Sequence, residues 1–172
     1  MCREWSTEVP SDFRILLDAV RLGYRGVSDE DSIGYYRAIA DESREFERKI
    51  RTVLRGIAAL MVNRDMLNPL RYGMFAWQLC SHKICRWLVP FFMILALVSN
   101  GMLIGRAGYL ALFMIQIGFY AMAYCGMWTS RFAQSRMLKL PAFFVVANLS
   151  IVSAWYRYAS GQRVVSWTPS DR

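Results

Sequence analysis

The sequence has a single histidine, His82, and its four cysteines, Cys2, Cys80, Cys85 and Cys125, form no C-x-x-C pair. With no second histidine and no paired cysteines, neither a zinc site nor a disulfide framework is indicated. The thiols read as buried or reduced, and His82 as a hydrogen-bonding residue at an interface. No apolar run precedes Leu88 and the N-terminus is polar and acidic, which predicts no signal peptide and no export of the N-terminal part. Leu88 to Ile104 and Tyr109 to Trp128 carry no charge at all. Helices on the surface of a soluble domain do not read that way.

What is present is a basic, apolar chain. The 172 residues carry a formal net charge of +8, with 55% hydrophobic residues and six tryptophans, a combination that a bilayer explains and an ordinary soluble domain does not. Arg48, Lys49, Arg51, Arg55, Arg64, Arg71, Lys83 and Arg86 precede the first uncharged run. Cations in that position hold one end of a span in the cytoplasm, beside anionic head groups. Nucleic acid, the other common partner of basic proteins, is set aside because the charges are juxtamembrane. The expected partner is the lipid bilayer.

Residues 1–56 read as the end of a larger domain, since about fifty residues without a disulfide or metal bury too little surface to fold alone. Ser11 can cap a helix whose apolar face is Phe13, Leu16, Leu17 and Val20, with Gly23 as its stop. A short extended segment, Tyr24 to Val27, is expected next, then an acidic turn and a charged helix around Glu42 to Leu54 on which Glu45 and Lys49 pair. Residues 57–87 read as two interfacial helices broken at Asn68-Pro69, because Arg64, Asp65 and Arg71 would be rejected by hydrocarbon. The membrane region is 88–158. Leu88 to Ile104, roughly 26 Å long as a helix, is the first span, and Tyr109 to Trp128 the second, antiparallel one. The turn at Gly105 to Gly108 holds only Arg106, whereas Arg131, Arg136 and Lys139 follow the second span, so the turn is expected outside and both flanks inside. Leu140 to Tyr156, interrupted by Asn148, Ser150 and Ser153, either spans or lies in the interface, and charge bias cannot orient it. Residues 159–172 form the tail.

Four ordered features resemble the C-terminal half of a membrane-bound family 2 glycosyltransferase, the group of the polysaccharide, cellulose, chitin and hyaluronan synthases. Val9-Pro10-Ser11-Asp12-Phe13 ahead of a helix and a Gly23-Tyr24-Arg25 strand is similar to the acidic motif that ends the catalytic domain. Glu45-Phe46-Glu47-Arg48-Lys49-Ile50-Arg51 stands where processive members carry Gln-x-x-Arg-Trp; Arg51 matches the arginine, while Arg48 and Thr52 replace Gln and Trp. Leu67-Asn68-Pro69, Ser81-His82-Lys83 and Arg86-Trp87-Leu88 to Pro90 resemble a membrane-entry segment. Trp167-Thr168-Pro169-Ser170-Asp171-Arg172 resembles a gating loop that closes over the nucleotide.

The resemblance implies a mainly α fold, membrane helices with amphipathic interfacial helices, preceded by a small α/β remnant of a GT-A-type catalytic domain. It implies Asp12 as general base and Arg48, Lys49, Arg51, Trp167 and Arg172 as residues that bind diphosphate or substrate. For the complete enzyme it implies inverting transfer from a nucleotide sugar to a glycan or lipid acceptor, with Mg²⁺ or Mn²⁺ on the diphosphate. Nothing in this chain reads as a metal site: Asp29-Glu30-Asp31 spells D-x-D but reads as a solvated turn. The nucleotide-sugar-binding half expected before Asp12 is missing, so the isolated chain is expected to be inactive. It reads as a truncated enzyme of the inner membrane with its N-terminal part cytoplasmic. The alternative is a non-catalytic anchor or subunit that pairs with a separate catalytic half.

Overall fold

The computed structural model describes residues 12–27, 29, 31–35, 41–128 and 135–162. Within them the chain is mainly helical and contains no strand. Six α-helices follow one another: α1 (Asp12–Arg21), α2 (Glu42–Val62), α3 (Pro69–Leu79), α4 (Arg86–Met102), α5 (Tyr109–Trp128) and α6 (Arg136–Ala159). Two compact units result, Met1–Cys80 with Ser153–Arg172, and Ser81–Val152.

In the first unit α1 packs on α2. Of the expected apolar face of α1 only Leu17 is fully enclosed; Leu16 is exposed. The helix ends as its glycine requires. Gly23 takes φ +86°, its N–H donates to the Val20 carbonyl and the Tyr24 N–H reaches back to Ala19. Those two bonds close the carbonyls that a helix end leaves open, in a conformation costly for a side-chain-bearing residue. The expected strand at Gly23-Tyr24-Arg25 does not form. The segment leaves α1 without helical bonds, but no second strand exists among the described residues to complete a ladder. The α/β character expected of this part is therefore absent from them.

α2 begins where the Asp41 carboxylate accepts the N–H groups of Ser43 and Arg44. It runs eight residues past the expected Leu54, because Ile50, Leu54, Ile57 and Leu60 continue one buried stripe at helical spacing. Each such side chain contributes about 1.5–3 kcal/mol when removed from water. The stop is Asn63, whose backbone N–H and side-chain Nδ2 both donate to the Ala59 carbonyl. A 3₁₀ turn, Arg64–Leu67, buries Met66 and leads to Asn68, whose Oδ1 caps α3 at Leu70 N–H with Pro69 in the first helical position. The break expected at Asn68-Pro69 is thus present. Gly73 kinks α3 at φ +52°.

Among the described residues three stretches are long and apolar enough to cross a membrane: Pro69–Met102, Tyr109–Trp128 and Met137–Ala159. The first has 34 residues. At 1.5 Å per residue that is about 51 Å, well beyond a hydrocarbon core of about 30 Å, so the part carrying Arg71, Lys83 and Arg86 is surplus to one crossing. A π-helical segment, Cys80–Cys85, joins α3 to α4, one turn ahead of Pro90. Proline lacks the N–H of a regular turn and its ring collides with the i−4 carbonyl, so the distortion has a local cause.

In the second unit α4 and α5 form an antiparallel hairpin. Gly108 closes its turn at φ +87°. Both helices match the expected spans, α4 beginning and ending two residues earlier. What the uncharged runs conceal is a polar node. Asn100 Nδ2 donates to Gln116 Oε1 at 3.0 Å, and Gln116 Nε2 donates to the Met93 carbonyl and to Tyr120 Oη, both at 3.2 Å. α6 starts against the end of α5: a Cβ on Gly126 would meet the Leu138 carbonyl oxygen at 2.7 Å, and Phe119 and Phe144 pack edge to face. α6 is one helix, extending beyond the expected Leu140 to Tyr156 at both ends, with Asn148 and Ser150 bonded back to the carbonyls of Phe144 and Ala147.

Replacing Gln116 by Leu removes every bond of the node without removing volume. Interhelical hydrogen bonds in bilayers are worth roughly 0.6–1.7 kcal/mol, so Gln116→Leu should destabilise the hairpin by about that much. Steric-trap or detergent unfolding of the full chain measures it, and an unchanged stability would show that the node contributes nothing.

Candidate functional site

The residues that carry the glycosyltransferase resemblance fall on α1 and α2. Asp12 is the first residue of α1 and is exposed. Arg48, Lys49 and Arg51 lie on the polar half of α2. Packing of α1 on α2 brings the helix that begins at Asp12 onto the helix that holds the cations. The expected tail residues, Trp167 and Arg172, lie outside the described residues.

The cations are not equivalent. Arg48 forms a bidentate pair with Glu45, Nε and Nη2 each 2.8 Å from a carboxylate oxygen. Lys49, expected to be the partner of Glu45, stands further off at 3.8 Å. The guanidinium wins because its planar fork matches both oxygens while the ammonium supplies a point charge. This pairing holds the Glu45 carboxyl below its ordinary range, chiefly through the Arg48 hydrogen bond. A diphosphate approaching Arg48 would have to displace that carboxylate. Arg51 is half-buried and acts on the charge of Glu47 one turn earlier.

Two further ion pairs hold this unit together, and neither has a local sequence signature. Arg21, in the last turn of α1, grips both oxygens of Asp65 at 2.8 and 3.0 Å, and the Tyr72 hydroxyl donates to the same carboxylate at 3.4 Å. That ties α1 to the 3₁₀ turn and the start of α3. Glu47 of α2 receives Arg157 of α6 through two parallel bonds, Nη2 to Oε1 at 2.7 Å and Nη1 to Oε2 at 2.8 Å. Hydropathy and short-range spacing miss both pairs, since the partners are 44 and 110 residues apart.

Asp29 accepts the Asp31 N–H and the Ser32 hydroxyl, which forms the solvated turn expected there and lowers its carboxyl, the Ser32 bond being the main cause. Among the described residues no group of three or more His, Cys, Asp or Glu could hold a metal ion. His82 is exposed in the π-helical segment. No family model matches the chain, and no curated protein or solved structure does either.

The Glu47–Arg157 pair sets a pH dependence. The Arg157 hydrogen bonds hold the Glu47 carboxyl below its ordinary value of 4.5, against a smaller opposing effect of burial. A carboxyl lowered by folding stabilises the native state above its unfolded value and loses that contribution as pH falls through the folded one. The pair is partly exposed, so its contribution is of the order of 0.2–1 kcal/mol and is weakened by salt. The guanidinium NMR signal of Arg157 in lipid nanodiscs should stay fixed from neutral pH to about 5 and move only below 4.5. A transition above that value would show that Glu47 is not bound to Arg157.

Proposed function

We propose that the chain is the membrane-embedded C-terminal half of a family 2 glycosyltransferase, which in the complete enzyme transfers a sugar from a nucleotide sugar to a growing glycan or lipid acceptor. The single observation that carries the reading is the placement of the resembling residues: Asp12 opens a helix packed on the amphipathic, basic α2, ahead of the Asn68-Pro69 break and the entry into α4. Transfer needs a carboxylate to take the acceptor hydroxyl's proton, and an exposed Asp12 is accessible for that role. It also needs positive charge where the leaving diphosphate develops negative charge. Arg51 is the first candidate, because it stands where the resemblance places the family's arginine, with Arg48 and Lys49 beside it on α2; Trp167 and Arg172 are proposed to complete the set. Mg²⁺ or Mn²⁺ would neutralise the diphosphate in the complete enzyme. By the resemblance that ion would be held by the nucleotide-binding half.

A second reading, a non-catalytic anchor or subunit of a split enzyme, is favoured by one specific observation. Between Tyr24 and Val27, where the end of a catalytic domain would supply a strand, the chain has none. The two readings differ in whether Asp12 does chemistry. Joined to a matching N-terminal half, the chain should support transfer, and Asp12→Asn should lower turnover by roughly 10²–10⁴-fold, the usual contribution of a general base. Full activity of Asp12→Asn in that fusion would leave the anchor reading. Transfer by the chain alone would contradict the proposal that an N-terminal half binds the donor.

A further inference from the structure

We propose that the α4–α5 hairpin pairs in the bilayer with the hairpin of a second copy of this chain, the Tyr120 hydroxyl of each copy donating to the Asn100 side-chain oxygen of the other.

The node around Gln116 leaves groups unspent. A side-chain amide has one oxygen and two N–H bonds. On Gln116 all three are used: Oε1 accepts from Asn100, and Nε2 donates to the Met93 carbonyl and to Tyr120 Oη. The Tyr120 oxygen therefore accepts, and its own proton has no acceptor among the described residues. On Asn100 only one N–H is engaged, so Oδ1 and the second N–H have no partner among them either. In water such groups would bond to solvent. α4 and α5, however, lie in stretches long and apolar enough to cross a membrane, and hydrocarbon offers neither donor nor acceptor.

The hairpin does not cover these groups by itself. Tyr120 and Asn100 are both half-buried, so each keeps a side open to its surroundings. Ile117 and Tyr124, which share the Tyr120 face of α5 at helical spacing, are 40% and 58% exposed. Lipid solvates an apolar helix surface as well as another helix does, so apolar contact alone selects no partner there, whereas polar side chains do.

A second copy answers the leftover donor and acceptor reciprocally. Tyr120 and Asn100 both bond the one amide of Gln116, which sets the unspent O–H and the unspent oxygen at one depth. Two copies inserted the same way are related by a two-fold axis along the bilayer normal, and rotation about it leaves depth unchanged. Such an axis sets the Tyr120 O–H of each copy against the Asn100 Oδ1 of the other, in an interface that closes on itself. A different helix would need its own donor and acceptor at that depth. This chain already carries both.

The test needs no transferase activity and is independent of the function proposed above. Full-length chain with native cysteines replaced and one dye at Ser43→Cys is reconstituted in large liposomes, and bleaching steps are counted as the lipid-to-protein ratio rises. Two-step spots should persist well beyond chance co-occupancy. Tyr120→Phe, which keeps the ring and removes only the hydroxyl, should raise the protein density at half-dissociation about tenfold, the loss of two interhelical bonds. Mixed pairs of wild type and Tyr120→Phe keep one of the two bonds and should fall between. Tyr124→Phe, which loses an exposed hydroxyl one turn along the same face, should dissociate like wild type. Single-step spots at every dilution of the wild type, equal association of Tyr120→Phe and wild type, or an equal weakening by Tyr124→Phe would overturn the proposal.

Discussion

The exclusion of charge from hydrocarbon organises this chain more than any single contact does. It bars the charged first half of α2 from hydrocarbon and suits the uncharged α5 and the apolar α4 to it. Within the bilayer the same exclusion acts on backbone and amide groups, which must be satisfied internally. The node around Gln116 meets that demand by joining Asn100, Tyr120 and a carbonyl of α4. A hairpin that reads as featureless apolar sequence thereby acquires one defined register.

Outside the hydrocarbon, ion pairs determine what the basic residues are free to do. Glu45 occupies Arg48, Asp65 occupies Arg21, and Glu47 occupies Arg157. Individually such partly exposed pairs contribute little to stability. Their effect lies in placement: one fastens the end of α1 to the elbow before α3, and another fastens the end of α6 to α2.

The elements that sequence reading finds are those whose cause is local. Uncharged runs mark α4 and α5, Gly23 marks the end of α1, and Asn68-Pro69 marks a break, because dielectric exclusion, positive φ and a capped first turn each act within a few residues. The extension of α2 through Val62 was legible in the spacing of Ile57 and Leu60, but it was obscured by the change from polar to apolar composition near Gly56. Failures share a different cause. A strand at Tyr24 depends on a partner elsewhere in the chain, and the preference of Glu45 for Arg48 over Lys49 depends on rotamers. The Glu47–Arg157 pair joins residues that no periodicity relates. Of the candidate site, the residue types were readable; which of them are already paired was not.

The central claim is that the uncharged α4 and α5 enter a bilayer while the charged first half of α2 stays outside its hydrocarbon, and the most direct measurement is the immersion depth of nitroxide spin labels in nanodiscs, read from the ratio of oxygen to nickel-chelate relaxation. Leu95 and Ile117 are exposed near the middles of α4 and α5, and Thr52 is exposed on α2. Labels replacing Leu95 and Ile117 should read as deep, close to the bilayer centre, and one replacing Thr52 should read as shallow or in water. Equal depth at all three positions would contradict the account.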